Sequence, residues 1–396
     1  MHTARFSLLA AAALLAACSD VAGPNASSAI DDLNASLAVR GESDDDSDDR
    51  ATGGVFTQTN DAAGNAVIAY TRRADGSLSY LGTYPTGGLG TAPASGLGSQ
   101  GAVLLTPNNR VLLAVNAGSN QISSFAVGKA ELKLAATVPS GGQRPVSVAA
   151  TDHVVYALNN GSSTIAGFRI GHRGALTPVP GWTRSLSRSG ANAAQVQFTK
   201  DGHFLVVVHR GAPGFDVFPV NRDGSLGAAI FTPSVGSAPF GFDITARGQI
   251  VVSEPGANLG GTPESATSYN IEHGGRLSAV SAGIASNQLA PCWVVITKNG
   301  RFAYTANAGS GSISGFAVAA DGSLTLLTAD GRTGVTGNGT TPLDMDVSRN
   351  DRFLYVIEGG SGNIMGFRIG RDGSLAPMSD VPPPASARPR GGLVAF

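Results

Sequence analysis

Apolar residues along this chain come in short bursts separated by Gly, Asn, Asp or Pro, and few of them recur at helical spacing. The bursts fall into three recurring kinds. Residues 353–357, 302–306, 204–208, 154–158 and 111–115 are nearly continuous apolar runs, which predicts strands buried on both faces. Each is followed by a Gly- or Ser-containing strand, as at 364–369, 313–318, 165–170 and 122–127, and is preceded by a strand at 145–149, 239–244, 291–296 or 342–347 that opens on proline. After each such group comes a refrain, cleanest at Asp75-Gly76-Ser77-Leu78, Asp223-Gly224-Ser225-Leu226, Asp321-Gly322-Ser323-Leu324 and Asp372-Gly373-Ser374-Leu375. Asp-Gly between apolar strands predicts a tight hairpin with positive φ angles.

Counted by its leucine, the refrain stands at Leu78, Leu132, Leu176, Leu226, Leu277, Leu324 and Leu375, with spacings of 54, 44, 50, 51, 47 and 51 residues. Seven units of this length with four strands each predict an all-β fold, a seven-bladed β-propeller. The first unit lacks a Pro-led strand, and residues 389–396 carry that pattern with nothing after it. The last strand is therefore expected to complete the first blade and close the ring, leaving no open edge.

Composition alters this picture mainly at the start of the chain. Arg5 precedes an apolar run over residues 6–16, too short to span a bilayer, and Leu15-Ala16-Ala17-Cys18 has the form of a bacterial lipobox. Residues 1–18 are therefore read as a lipoprotein signal with Cys18 as the lipidated residue. Residues 19–50 are rich in Ser, Asp and Asn and are read as a disordered acidic tether, leaving 51–396 for the propeller. The protein is thus expected to be exported and lipid-anchored to the cell envelope, on its periplasmic or outer-membrane face, and to be monomeric. Of the overall charge of −1, −6 sits in residues 31–50, so the body carries +5 without basic clustering; nucleic acid is not an expected partner. Cys292, between Pro291 and Trp293, reads as a small buried apolar residue.

The second strand of each unit ends at an equivalent residue: Asn60, Asn116, Asn159, His209, Glu254, Asn307 and Glu358. Such positions ring one face of a propeller, around the axis where ligands bind. Asparagine there also suits a left-handed turn residue, an explanation that does not reach His209, Glu254 or Glu358. His209 and Glu254 belong to adjacent units and make a candidate catalytic acid–base pair; Asn60, Asn116, Asn159, Asn307 and Glu358 are candidate ligand-binding residues. Asn60, Asn307 and Glu358 also form an alternative oxygen set for calcium, but no metal site and no cofactor is expected. His153, His172, His203 and His273 fall in hairpins or refrains, and no paired Cys, His-x-His or Gly-x-Ser-x-Gly element is present.

The order Pro-x-x-Val, Asn/Asp-Gly-Arg-Phe-x-Tyr, Ile-x-Gly-Phe and Asp-Gly-Ser-Leu, best seen at residues 298–307 and 350–357, resembles the seven-bladed lactonase family, which includes 6-phosphogluconolactonases and carboxymuconate cyclases. The resemblance spans residues 53–396 and implies a lactone or anionic sugar acid as ligand. Of the side chains it implies for catalysis, only Glu254 is matched. The histidine position holds Ala194, followed by Gln195, the Arg-His positions hold Phe240 and Gly241, and a late arginine position holds Ala308. Two functions follow: a propeller binding a small molecule or an envelope protein, or an atypical enzyme opening or forming a lactone.

The lipid anchor makes a direct prediction. Cys18→Ser is expected to move the protein from the membrane to the soluble envelope fraction, and mass spectrometry should find an acylated Cys18 in the wild type. Retention of the Cys18→Ser variant in the membrane fraction would overturn the assignment.

Overall fold

The Asp-Gly-Ser-Leu refrain both turns the chain and joins one blade to the next. The fold is that of a computed structural model that describes residues 51–91, 97–128, 131–256, 263–385 and 387–396; the signal, the tether and Cys18 lie outside the described residues. In the turns, the aspartate Oδ1 accepts the N–H of the following serine, at 2.8 Å for Asp75, 2.9 Å for Asp223, 3.0 Å for Asp321 and 3.1 Å for Asp372. These bonds hold all four carboxyls below the ordinary range. Only the glycine takes a positive φ, 95° at Gly76 and 86° at Gly373, and the closing bond runs from Arg73 N–H to Ser77 O at 2.9 Å. The turn is thus longer than the tight Asp-Gly hairpin expected, because aspartate keeps an ordinary φ while capping the serine.

The far side of each turn rests on the preceding blade. The carbonyls of Gly76, Gly224 and Gly373 accept the hydroxyls of Tyr355, Tyr156 and Tyr304 at 2.6, 2.8 and 2.9 Å. A Cβ at residue 76 would lie 2.3 Å from the Phe353 ring, and one at residue 373 would lie 2.6 Å from Phe302. The repeated Phe-x-Tyr of the second strand and the repeated Asp-Gly of the turn are therefore two halves of one inter-blade contact.

Seven antiparallel sheets of at least four strands result, and the sixth carries an extra two-residue strand, Gly334–Val335. Numbered in chain order, blades I to VII have as second strands Gly53–Gln58, Val111–Asn116, Val154–Asn159, Phe204–His209, Gln249–Glu254, Phe302–Asn307 and Phe353–Glu358. The innermost strands of blades II to VII are Val103–Leu105, Pro145–Ala150, Ala193–Phe198, Phe242–Ile244, Pro291–Ile296 and Pro342–Val347. The chain's last strand, Gly391–Ala395, is the innermost strand of blade I and pairs with Gly53–Gln58. Phe396 stacks on Phe56 at 5.4 Å, and its carbonyl accepts from Arg72 Nη2 at 3.1 Å. Cys292 is fully buried on its innermost strand.

The axis is filled. Ser99, Gln100 and Gly101, just before the innermost strand of blade II, bond to innermost strands on opposite sides of the ring. Gln100 N–H reaches Ala194 O at 3.1 Å, Val294 N–H reaches Gln100 Oε1 at 2.9 Å, and Trp293 Nε1 reaches Ser99 O at 2.9 Å. Ser99 Oγ donates to Val146 O at 2.8 Å, and Val148 N–H to Gly101 O at 2.9 Å. A segment that touches blades III, IV and VI at once lies on the axis, and it plugs the channel.

Removing residues 391–396 strips the pairing partner from Gly53–Gln58 and deletes Leu393 and Ala395 from the core. A loss of at least about 3 kcal/mol is expected, the cost of deleting one large buried apolar side chain. Denaturant unfolding checks this, and an unchanged midpoint would contradict ring closure by this strand.

Candidate functional site

The seven residues read as one ring are buried, with side chains pointing into the sheets; six of them end the second strand of their blade, whereas Asn60 stands two residues beyond Gly53–Gln58, so the equivalence expected of it does not hold. Asn60, Asn116, Asn159, His209, Glu254 and Asn307 have no exposed surface, and Glu358 has 2%. Several of them reach the loop that enters their own blade. Asn116 Oδ1 accepts from Thr86 Oγ1 at 2.7 Å, and Asn159 Nδ2 donates to Ser140 O at 3.1 Å. Asn307 Nδ2 donates to Ser314 Oγ and Ser312 Oγ at 2.9 and 3.1 Å, and Ser312 Oγ in turn reaches Gln288 Oε1 at 2.9 Å. Asn60 Nδ2 bonds Thr91 Oγ1 at 2.9 Å, in the loop that leaves its blade. The polar ring read from the sequence is thus, in these blades, a set of latches that pin the inter-blade loops. Asn60 alone among the asparagines has the left-handed φ expected of a turn residue, 53°; Asn116, Asn159 and Asn307 are held by side-chain bonds instead.

His209 and Glu254 serve the same purpose with charged groups, and neither has the other as a hydrogen-bond or ion-pair partner. His209 Nε2 lies 3.2 Å from Asp216 Oδ2 on the third strand of its own blade, and its ring sits 5.9 Å from Phe231. Asp216 also accepts from the N–H and hydroxyl of Ser187 in the entering loop. Burial alone would raise the Asp216 carboxyl, but bonds from His209 and Ser187 outweigh it and hold it low. The expected facing pair is therefore replaced by a buried His209–Asp216–Ser187 chain.

Glu254 is caged. Its Oε1 accepts Gly236 N–H at 3.0 Å and Ser234 Oγ at 3.2 Å, and its Oε2 accepts Ser265 Oγ at 3.2 Å. A Cβ at residue 236 would come within 2.0 Å of Oε2, so only glycine lets the backbone approach so closely. Burial pushes the carboxyl above its ordinary value, and the four donors Gly236, Thr267, Ser234 and Ser265 offset only part of that. Glu358 is also raised by burial, with Ser361 Oγ at 2.9 Å from Oε2 and no partner on Oε1. Asn60, Asn307 and Glu358 each bond within their own blade or its loops, and no group of three or more acidic, His or Cys side chains suited to a metal occurs among the described residues.

Two groups near the axis escaped the sequence reading. Asp344, on the innermost strand of blade VII, accepts the N–H groups of Gly101 in the plug, of Met345 and of Gly392 in the closing strand. Its Oδ2 has no partner, and burial pushes its carboxyl up to about 8. The signal was present: Asp344, with Asp346, interrupts a Pro-led strand whose counterpart Pro291–Ile296 is apolar throughout. The second is Arg210, directly after His209, whose guanidinium lies 5.1 Å over the Phe240 ring. Phe240 packs edge-on against Trp293 at 5.2 Å, so the arginine stands above an aromatic floor beside the plug.

A family model for the seven-bladed β-propeller lactonases matches residues 63–184, 180–255 and 261–388. Among solved structures, a putative 6-phosphogluconolactonase of Bacteroides uniformis superposes with a TM-score of 0.69 at 17% identity, covering 88% of this chain and 100% of that one. A periplasmic gluconolactonase of Pseudomonas aeruginosa gives a TM-score of 0.66 at 19% identity, covering 87% and 99%. At these identities the likeness is one of fold. No curated protein matched the chain.

Because folded Glu254 binds its proton more tightly than the unfolded chain does, its favourable contribution is complete below the unfolded value of 4.5 and is lost as pH rises through its raised value. Glu254→Gln carries no such loss. The stability of the variant relative to wild type is expected to rise as pH is raised above the unfolded value of 4.5 in urea titrations, and a pH-independent difference would contradict the caged carboxyl.

Proposed function

Because the chain belongs to the seven-bladed β-propeller lactonase family, we propose that it is a lipid-anchored, extracytoplasmic member that binds a small sugar acid or its lactone over the plugged axis, without the family's acid–base set. The observation that carries this reading is the burial of Glu254 and His209, each fully enclosed and bonded within its own blade and entering loop. A general base has to come within hydrogen-bond reach of the proton it abstracts, and a fully buried carboxylate whose two oxygens already accept from Gly236, Ser234 and Ser265 is closed to a substrate proton. The positions where the resemblance implies His, Arg-His and Arg hold Ala194, Phe240, Gly241 and Ala308, which supply no proton donor or acceptor. Export supports an unphosphorylated ligand, since phosphorylated sugars are kept inside the cell.

A second reading, lactone hydrolysis with Glu254 as base, is favoured by the raised affinity of Glu254 for its proton, the property a base working near neutral pH needs. One experiment separates the two. A panel of sugar lactones is offered to the body lacking residues 1–50, to Glu254→Gln and to the double variant Glu254→Gln/His209→Ala, while binding of the corresponding acids is followed by calorimetry. Binding without turnover is the expected result. Wild-type turnover that falls by about 10²- to 10⁴-fold in Glu254→Gln would replace it with the hydrolase reading. Turnover that survives the double variant would put the chemistry on other residues.

A further inference from the structure

Arg210 is more than half buried, yet it meets no carboxylate among the described residues. Of its five N–H donors, the recorded hydrogen bond is a long one from Nη2 to Asn192 Oδ1 at 3.4 Å, and Nε is buried with no partner at all. Asn192 Oδ1 is already taken by Asn160 Nδ2 at 3.1 Å, so Arg210 receives little from it. A second cation belongs to the same corner: Arg144, at the entrance to the innermost strand of blade III, accepts with its carbonyl the N–H of Asn160 at 3.0 Å, and Asn160 is the residue whose Nδ2 holds Asn192. Burial first, and Arg144 second, push the Arg210 guanidinium down to about 10, so it stays charged at neutral pH with no carboxylate paired to it among the described residues.

A buried charge without a partner is costly, and a guanidinium with an unpartnered Nε, a second cation nearby and no carboxylate beside it among the described residues makes a site for an anion. The floor beneath supports this. Arg210 lies flat over Phe240, which packs on Trp293, and Trp293 is tied to Ser99 of the plug. Arg144, Asn192, Arg210 and Phe240 come from blades III, IV, IV and V, all at the ends where the innermost strands begin.

We propose that Arg210 and Arg144 form an anion-binding subsite at the mouth of the plugged axis, with Phe240 and Trp293 as its floor, which takes the carboxylate or phosphate group of a small organic anion. The inference rests on the axial binding reading above and adds the group that is recognised. Phe240 stands where the resemblance implies an arginine, and the Arg210 guanidinium reaches the space over it from the neighbouring blade, so charge is supplied from a different strand.

The test uses the full-length protein in detergent, titrated calorimetrically with sodium gluconate and, separately, with inorganic phosphate, at low and high salt. Wild type is expected to bind at least one of the two, more weakly at high salt. Arg210→Met, which keeps the apolar stem over Phe240, is expected to weaken binding at least tenfold, Arg210→Lys less, and the exposed Arg144→Ala by several fold without changing the melting temperature. Should Arg210→Met fail to fold, Arg144→Ala and Arg210→Lys still decide the matter. Phosphate binding that depends on Arg210 with no binding of gluconate would keep the subsite and remove the sugar-acid reading. Gluconate binding indifferent to all three substitutions would keep that reading and overturn the subsite, and so would a wild type that binds neither anion up to about tenfold above millimolar concentration, the weakest range worth naming for a specific site.

Discussion

A blade of this protein is apolar on both faces, and each face is covered only by the next blade. Everything else depends on that constraint. Val206, Tyr304 and Phe367 are fully buried, and no single four-stranded sheet has enough material of its own to bury them. The ring must therefore be closed, and two contacts close it: the pairing of Gly391–Ala395 with Gly53–Gln58, and the bond from Tyr355 in the last blade to the Gly76 carbonyl in the first. The Tyr-to-turn bond recurs at Tyr156 and Tyr304, so closure uses a contact that the other blades already make.

Once the ring is closed, the loops that enter each blade must be held in place, and buried polar groups at the strand ends do this. The cost of burying Asn116, Glu254 or Asn307 is offset only because each finds partners in a loop or a neighbouring strand. Those groups are then committed to structure. On the reading proposed above, contact with a ligand falls to side chains outside the latch pattern, and Arg210, one residue beyond the latch at His209, is the clearest of them.

The fold was legible because one pattern is written seven times: a worn copy such as Gly275-Arg276-Leu277 is recognised through its clean relatives, and the orphan strand at 391–396 needed only arithmetic to place. The site was less legible. A polar residue at a strand end reads as exposed, and nothing in Asn116 or Glu254 alone says that it turns inward. The sequence did hold a hint, since Thr86, Ser140, Ser234 and Ser286 directly follow the outer strands; Thr86 and Ser234 reach the latch residues with their hydroxyls and Ser140 with its carbonyl. The plug at Ser99–Gly101 belongs to a segment without a counterpart in other units, so no repeat could reveal it. Asp344 and Arg210 depend on neighbours far away in sequence, Gly101 and Gly392 for the first and Phe240 for the second.

The central claim is that ligands meet this propeller over the plug, at Arg210, and that the ring residues beneath are structural. A crystal of the protein soaked in gluconate tests it most directly. The account predicts density for the carboxylate within hydrogen-bond distance of the Arg210 guanidinium, above Phe240, with Glu254 still bonded to Gly236 and Ser265. Density bonded to Glu254 or His209, with the entering loops displaced, would contradict it.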